Sequence, residues 1–447
     1  MRSITEVVRN FKLRWTEELE PAAIEKACVD AGMNWINSTL NPVVTIQLFF
    51  LQVLHGNTAC EHLPQLAELP FTAAAYCKAR MRLKLQALYL LLERSVAQLH
   101  QEVLDDSRWL GHRVFLIDGS SFSMPDTPQL REHFGQPGGQ REGCGFPVAH
   151  WLVMMHAGSG MIMKMLASPL RTHDMSKTVH LHDELQPGDV LVADRAFCSF
   201  VHLVLLAQRE VHAVLRIHQR TIVDFTPGRP HVDPRRRKSD HRKGLPRSQW
   251  LRSLGATDQV VQWLKPASRP SWISREQFIA LPDAIEVREL RYKIQEKGFR
   301  PKQVTLVTTL LDADVYSLES VANLFRRRWE IETNFAHLKT TMKMDVLKCK
   351  TVDGVLKELQ VFAMVYNLVW QVKLLAAARQ NVNVHRISFI SALRWLQTSA
   401  PGAPLNDLVI NLYRPNRLEP RVRKRRPKEY PLMTKPRREL KKDLASQ

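Results

Sequence analysis

The pattern of apolar and polar positions divides the chain into helical ends and a central stretch of short strands. Apolar residues recur at helical spacing in residues 1–105, where residues 46–54 predict a buried helix. Thr72 is placed to cap another helix that continues towards Val96. A further buried helix is predicted over residues 354–378, because polar residues interrupt its apolar run and argue against a membrane span.

The central stretch contains two apolar runs that each end in an acid. Residues 114–117 are followed by Asp118, and residues 189–193 are followed by Asp194. A hairpin is predicted across residues 158–160, and the order up to residue 217 is three strands, a helix, a strand, a helix and a strand. Since α/β sheets place functional groups at the carboxyl ends of strands, we expect Asp118 and Asp194 to share one site.

Residues 324–342 predict one amphipathic helix whose charges border its apolar stripe. On a helical wheel, Arg328, Glu332 and Lys339 fall within about 40° of one another. A carboxylate in this position can hold a metal ion, and the two cations can hold phosphates. The alternative is a solvated face on which Arg328 and Glu332 form an ordinary i, i+4 pair.

Residues 219–303 differ in character from the strands before them. Prolines interrupt this part, and residues 229–247 carry eight Lys or Arg against two Asp, which predicts an insertion with a basic loop. Strands predicted over residues 288–292 and 304–310 lead back to the amphipathic helix. Near the end, residues 414–442 hold 13 Lys or Arg and 3 Glu, a composition typical of a disordered tail that binds nucleic acid.

The full chain of 447 residues has a formal net charge of +20. This excess favours a partner rich in phosphates, and a basic protein at a membrane surface would have the same composition. Lys78, Arg80 and Arg82 make the helix after Thr72 basic. With the preceding helix it forms either a helix-turn-helix-like unit that enters a DNA major groove or a plain bundle with a charged face. Six cysteines without a CxxC pair, and no apolar leader, predict a cytoplasmic protein with reduced thiols.

Asp118, Asp194 and Glu332 together point to one chemistry. Three convergent carboxylates can bind two divalent cations, which activate a water or a 3′-hydroxyl for in-line phosphoryl transfer. Ligation by oxygen alone favours Mg²⁺ or Mn²⁺ over zinc. Each acid by itself is more often structural, but their combination with the strong basic charge outweighs that alternative.

The spacing of these residues resembles that of the DDE transposases of the bacterial insertion-sequence-four family. That family carries a Tyr-x2-Arg-x3-Glu-x6-Lys signature, which stands here as Phe325, Arg328, Glu332 and Lys339. The first Asp motif is Ile117-Asp118-Gly119-Ser120, and the second is Ala193-Asp194-Arg195-Ala196-Phe197. The resemblance spans residues 114 to about 370, and the residues between Asp194 and Glu332 leave room for the family's insertion domain.

The resemblance implies an α/β fold with an RNase H-like catalytic core, a mixed sheet flanked by helices. We expect a helical DNA-end-binding domain in residues 1–105, the core in 106–218 and 304–395, a β-rich insertion in 219–303 and a basic tail in 396–447. The resemblance also implies cut-and-paste transposition by a homodimer on double-stranded DNA. Asp118, Asp194 and Glu332 would be the catalytic residues and would hold two Mg²⁺ or Mn²⁺ ions.

In the family, the Tyr, Arg and Lys of the signature contact DNA phosphates near the cut. Expected DNA contacts are Phe325, Arg328, Lys339, Arg195, Lys78, Arg80, Arg82, Arg235, Arg236 and Arg237. Phe325 replaces the signature Tyr, so the phenolic hydrogen bond is lost while the ring remains. In hairpin-forming relatives a Trp on the strand before the Glu helix stacks on a flipped base. Residues 304–310 contain no aromatic side chain, so a hairpin would need another ring, such as Trp272 or Trp329.

Two other functions share part of this pattern. An RNase H-like nuclease that cuts without joining has the three acids, but does not need a large DNA-reading segment and a basic tail. A transposase-derived DNA-binding protein without activity would keep the basic regions, but the presence of all three acids counts against decay.

Overall fold

The computed structural model describes residues 20–100, 108–137, 143–170, 174–234, 244–294, 302–399, 405–410 and 435–446. The first range holds helices α1 (Pro21–Asp30), α2 (Pro42–Leu54), α3 (Leu63–Ala67), α4 (Ala73–Arg82) and α5 (Leu85–His100). The predicted cap is confirmed, because the Thr72 hydroxyl accepts a hydrogen bond from the Ala75 amide at 3.1 Å. The predicted continuation towards Val96 is wrong, since Leu83 takes an extended conformation (ψ 138°), is buried in the core and separates α4 from α5.

A mixed sheet of nine strands runs through the described part of the chain. Its strands are β1 (Val114–Ser123), β2 (Val148–His156), β3 (Ile162–Pro169), β4 (Val190–Ala193), β5 (His212–Arg216), β6 (Ser248–Gly255), β7 (Asp258–Leu264), β8 (Ala284–Ile294) and β9 (Lys302–Thr308). The spatial order is β3-β2-β1-β4-β5-β9-β8-β7-β6, with β1, β4 and β5 parallel and every other neighbouring pair antiparallel. Helices α6 (Pro128–Phe134), α7 (Asp174–Thr178), α8 (Phe200–Ala207) and α9 (Arg275–Ala280) connect the strands. The predicted order up to residue 217 is confirmed, with α6 as an additional helix between the first two strands.

The strands of the expected insertion extend the central sheet. Strand β9 pairs on one side with β5, where Leu215 lies opposite Val307, and on the other side with β8, where Leu290 lies opposite Leu306. Strands β7 and β6 then follow β8 at the edge of the same sheet. Of the basic loop predicted over residues 229–247, residues 235–243 lie outside the described residues.

A buried ion pair joins the added strands of the sheet to the loop that precedes the amphipathic segment of residues 324–342. Arg288, fully buried on β8, donates to Asp258 of β7 from two nitrogens and to the Tyr316 carbonyl at 2.6 Å. Arg288→Ala is expected to lower the free energy of unfolding by about 3–5 kcal/mol, because it leaves the buried Asp258 without its cation. Urea denaturation measures the loss.

The exposed pair of Arg209 and Asp183 offers a matched control for this prediction, with nitrogen and oxygen 2.8 Å apart at the surface. Arg209→Ala should cost less than about 1 kcal/mol. Equal losses in the two variants would contradict the assigned role of Arg288.

The long helix α12 (Val352–Gln380) connects the N-terminal helices to the sheet. Its Asn367 side chain accepts from the Ile162 amide and donates to the Ile162 carbonyl, both at 2.8 Å, so it satisfies backbone groups at the edge strand β3. By length and composition α12 qualifies as a membrane span, but 83% of its apolar window is buried in the protein. The predicted buried helix is therefore confirmed.

The amphipathic segment differs from the single helix that the sequence predicts. Helix α10 (Leu318–Arg326) ends in a turn, α11 (Trp329–Ala336) follows, and residues 337–341 form a π-helical turn. Helix α13 (Phe389–Thr398) packs on α12, and α14 (Arg437–Ala445) lies in the tail. The tail is thus helical near its end, contrary to the expected disorder, and residues 411–434 lie outside the described residues.

Candidate active site

The two strand acids lie side by side because β1 and β4 run parallel in register. Ile117 pairs with Ala193, so Asp118 and Asp194 occupy the next position on neighbouring strands. Adjacent strands are about 4.8 Å apart, which brings both carboxylates to one place. The prediction that the first strand ends at Asp118 is wrong, since β1 continues to Ser123 by pairing with β2. The acids instead mark the point where the parallel pairing ends.

Arg328 connects the signature helices to this strand end. It donates to Glu332 at 2.9 Å and to the Asp118 carboxylate at 3.3 Å, with its side chain only 7% exposed. The i, i+4 pair expected from the wheel is therefore present, but it is not a solvated surface pair. One guanidinium joins the carboxylate of a helix to that of a strand.

The turn between α10 and α11 determines where Arg328 lies. Arg327, in that turn, donates to the Ala157 carbonyl of the β2–β3 hairpin at 2.7 Å and pairs with Glu330 at 3.1 Å. These contacts fix the turn against the sheet, so Arg328 is directed towards Asp118. Sequence reasoning missed Arg327 and Glu330 as positioning residues, although their i, i+3 spacing was a usable signal.

Lys339 lies on the π-helical turn and returns to the same strand. Its ammonium group donates to the Ser120 hydroxyl at 3.3 Å, two residues beyond Asp118 on β1. A π turn is wider than an α turn and changes which residues share a face, so the calculated wheel angle does not apply after residue 336. Lys339 nevertheless lies near the acids, as expected, because its partner Ser120 is on the same strand, β1, as Asp118.

The electrostatics of Asp118 show that the three acids influence one another. The pKa of Asp118 is raised to about 6, chiefly by burial and to a smaller extent by the negative charges of Asp194 and Glu332. The Gly119 amide, which donates to the carboxylate at 2.9 Å, and Arg328 act in the opposite direction. The ionised form is therefore costly here without additional positive charge.

Asp194 has one oxygen that the described residues leave without a hydrogen bond. Its Oδ1 is buried and has no hydrogen-bond donor, and the nearest cation is Arg216 of β5 at 3.6 Å. Sequence reasoning missed Arg216. The available signal was its position at the end of the strand that runs parallel to β4.

The donor chemistry of the site suits a hard divalent cation. Asp118, Asp194 and Glu332 offer only oxygen, and the buried Asp194 Oδ1 accepts no hydrogen bond from the described residues. In the arrangement of the described residues, no three acidic, His or Cys side chains are grouped closely enough to hold a metal ion. The Arg328 guanidinium lies between Asp118 and Glu332 and donates to both.

The other expected DNA contacts occupy different environments. Phe325 is 5% exposed in the core beneath Arg328, whose guanidinium carbon lies 5.9 Å from the ring centre. Arg195 is exposed beside Asp194 and donates to Gln219 at 2.6 Å. Trp329 is 57% exposed, whereas Trp272 packs against the small apolar cluster around α8.

On α4 the expected contacts divide into exposed and internal side chains. Lys78 and Arg82 are exposed. Arg80 instead points inward, where it donates to Gln52 at 2.8 Å and lies 4.1 Å from the centre of the Phe49 ring. Arg235, Arg236 and Arg237 lie outside the described residues.

Two acids on adjacent strands, a glutamate on a facing helix and two nearby cations form the kind of site that phosphoryl-transfer enzymes use. A family model described as transposase DDE domain matches residues 109–368. The transposase InsG for insertion sequence element IS4 of Escherichia coli (strain K12) is 24% identical over 386 residues, covering 82% of this chain and 80% of that protein. The putative transposase InsZ of the same strain is 27% identical over 140 residues, covering 30% of this chain and 46% of that protein.

Among solved structures, a piggyBac transposase synaptic complex with hairpin DNA superposes with a TM-score of 0.44 at 9% identity, covering 89% of this chain and 80% of that one. The family match includes more than half of the residues of this chain, and the match to InsG agrees with the signature read from the sequence. The chain belongs to the DDE transposase family. It is a transposase of the insertion-sequence-four group, an enzyme that cleaves DNA and transfers strands.

Proposed function

We propose that the chain carries out cut-and-paste transposition of an insertion sequence, with Asp118, Asp194 and Glu332 as its catalytic residues. The observation that carries the proposal is the bridge that Arg328 forms between Asp118 of β1 and Glu332 of α11, with Asp194 next to Asp118 at the end of the parallel strand β4. A site of this composition can release a 3′-hydroxyl at the transposon end and then join it to a target phosphate.

We assign the catalytic core to an RNase H-like fold. The support is a mixed sheet in which β3, β2 and β1 are antiparallel and β1, β4 and β5 are parallel, with α12 packed against β3. Residues 106–218 and 304–395 form this core, and residues 219–303, with β6 to β8, form the β-rich insertion. Residues 1–105 are assigned to end binding and residues 396–447 to a basic tail.

Two Mg²⁺ or Mn²⁺ ions would be held by Asp118, Asp194 and Glu332, as the metal dependence of the family implies. Bound there, divalent ions lower the pKa of a water or hydroxyl and stabilise the leaving oxygen. For that to happen, Arg328 must release Asp118 and Glu332. Its planar fork is then available to a DNA phosphate, which it can hold bidentately, while Lys339 contributes a point charge.

The DNA-binding surface proposed here consists of exposed cations near the site and on the N-terminal helices. Arg195 follows Asp194 in the chain and is exposed, and Lys78 and Arg82 are exposed on α4. Arg80 is left out, since it is engaged internally. Trp329 is the exposed ring beside Arg328 and would be the one available to stack on a base. We further propose that a homodimer assembles on the two ends, in the bacterial cytoplasm.

A donor plasmid with two terminal repeats tests the proposal. Incubation with purified protein and Mg²⁺ should release the element and insert it into a second plasmid. Linear product without insertion would identify a nuclease that does not join. A gel shift of the plasmid without any cleavage would identify an inactive, transposase-derived DNA-binding protein. Scrambled terminal repeats are the matched control and should give neither excision nor insertion.

The basic tail is expected to contribute affinity without sequence preference. Residues 414–442 carry a net charge of +10, so their contacts should be made to phosphates. Truncation after Tyr413 should weaken binding to all duplexes alike, and the slope of log affinity against log salt should become shallower. Binding to end and scrambled duplexes across a salt series measures both effects. Loss of discrimination at unchanged bulk affinity would contradict this role.

A further inference from the structure

Two cysteines face each other among the N-terminal helices. Cys60 begins a short 3₁₀ turn before α3, and Cys77 lies on α4, with their sulfur atoms 3.8 Å apart. Cys77 is exposed and Cys60 is half-buried. Both thiols line a cavity of about 450 Å³, and Cys349, which precedes α12, lines the same cavity.

One buried side chain holds both cysteine-bearing segments. The Gln52 amide nitrogen lies 3.8 Å from the Cys60 sulfur, and its carbonyl oxygen accepts from the Tyr76 hydroxyl at 3.0 Å and from Arg80 at 2.8 Å. Tyr76 and Arg80 flank Cys77 on α4. The two cysteine-bearing segments are therefore held close together by a hydrogen-bonded network inside the protein.

The environments of the two thiols give them different parts in an oxidation. Burial raises the pKa of Cys60, and the neighbouring Cys77 raises it further, against the opposing effect of Arg80. An oxidant in solution reaches Cys77 first, because Cys77 is the exposed member of the pair. Cys60 is then close enough to act as the resolving thiol.

We propose that Cys60 and Cys77 are an oxidation site at which hydrogen peroxide closes an intramolecular disulfide that weakens DNA-end binding. Peroxide oxidises the Cys77 thiol to a sulfenic acid and releases one water. The Cys60 sulfur attacks the sulfenic sulfur, the S–O bond breaks, and the oxygen leaves as a second water with the Cys60 proton. The two thiols lose two electrons in total, which reduce the peroxide.

The effect on binding follows from the position of Cys77 on α4. A disulfide bond is about 2.05 Å long, so closure draws the middle of α4 towards Cys60. The carboxyl end of α4 is held elsewhere, because Lys357 of α12 donates to the carbonyls of Arg80 at 3.4 Å and Met81 at 3.2 Å. Closure therefore shifts α4 at Cys77, next to Lys78, relative to its held carboxyl end. This consequence rests on the proposed function, in which Lys78 and Arg82 contact DNA.

The test uses the full chain in reduced and peroxide-treated forms. After free thiols are blocked with N-ethylmaleimide, mass spectrometry of peptides should show Cys60 linked to Cys77 with the loss of two hydrogen atoms, reversed by dithiothreitol. Binding to a duplex that carries the element's terminal repeat should weaken at least about threefold on oxidation and recover on reduction. Cys77→Ser should abolish both changes, and the conservative variant at a distant position, Cys198→Ser, should retain them.

Several outcomes would overturn the proposal. Peroxide could leave Cys77 as a free sulfinic acid, or join either cysteine to Cys349, without a Cys60–Cys77 link. A complete Cys60–Cys77 link with unchanged end binding would refute the effect on DNA. Failure of the reduced protein to prefer terminal-repeat DNA would instead contradict the proposed function, and the mass spectrum would still decide the disulfide. Cys60→Ala provides a second variant that removes the resolving thiol while Cys77 stays in place.

Discussion

Asp118→Ala and Asp194→Ala are expected to abolish cleavage of transposon ends while end binding persists. Each substitution removes a carboxylate from the strand pair on which the metal-binding proposal depends. The loss of several kcal/mol of transition-state stabilisation corresponds to a fall of at least about 10³-fold in rate. Glu332→Ala should have the same effect, since Glu332 on α11 is the third acid proposed to hold the metal ions. The measurement is single-turnover nicking of an end-containing plasmid in Mg²⁺, with a gel shift alongside.

These variants should fold normally. Burial raises the pKa of Asp118, and the like charges of Asp194 and Glu332 add to the effect. Removal of Asp118 therefore relieves a costly buried charge, and Arg328 keeps its ion pair with Glu332. Asp314→Ala, at an exposed position in the loop before α10, is the control and should leave both cleavage and unfolding temperature unchanged. Full cleavage by any one triad variant would remove that residue from the site.

Local sequence patterns were sufficient to predict the strand half of this site. Asp118 and Asp194 both follow short apolar runs, and parallel strands align their carboxyl ends, so the pattern already places the two acids together. The i, i+4 contact of Arg328 with Glu332 is likewise a local property of a helix. Both predictions depend on periodicity within a few residues.

The rest of the site depends on contacts between distant segments. The wheel gives no information on the ion pair between Arg328 and Asp118, because it requires a particular docking of α11 on β1. The hydrogen bond from Arg327 to the Ala157 carbonyl fixes that docking. It forms at the turn between α10 and α11, which the apolar pattern does not predict. Arg216 approaches Asp194 only because β5 lies beside β4.

The same limitation applies to the sheet and to the N-terminal helices. The continuation of the core sheet into β9, β8, β7 and β6 depends on the antiparallel pairing of β5 with β9, which no local pattern encodes. On α4 the count of cations predicts a basic helix, but not that Arg80 turns inward to stack on Phe49 while Lys78 stays exposed. Composition gives the charge of a segment, and tertiary packing decides which charges face a partner.

Arg328→Ala should reduce the cleavage rate of pre-bound ends by about 10²–10³-fold, as expected for loss of a preorganised cation at a site of developing charge. The guanidinium is 7% exposed and bridges Asp118 and Glu332, so it lies where a scissile phosphate would approach the acids. Arg328→Lys should be nearly as defective, because an ammonium group cannot hold a phosphate or two carboxylates bidentately. The exposed neighbouring position offers a control, and Arg326→Ala should cleave normally.

At Lys339 we expect the conservative substitution to be tolerated. Lys339 acts as a point charge near Ser120, and an arginine side chain can supply the same charge. Lys339→Arg should retain most of the cleavage that Lys339→Ala loses. Thermal unfolding measured alongside separates catalysis from stability. Removal of the buried Arg328 is expected to cost stability as well, so a catalytic role requires a slower cleavage rate in protein that is folded and already bound to the ends. A normal rate of single-turnover cleavage in Arg328→Ala would therefore assign Arg328 to helix stability and exclude it from the active site.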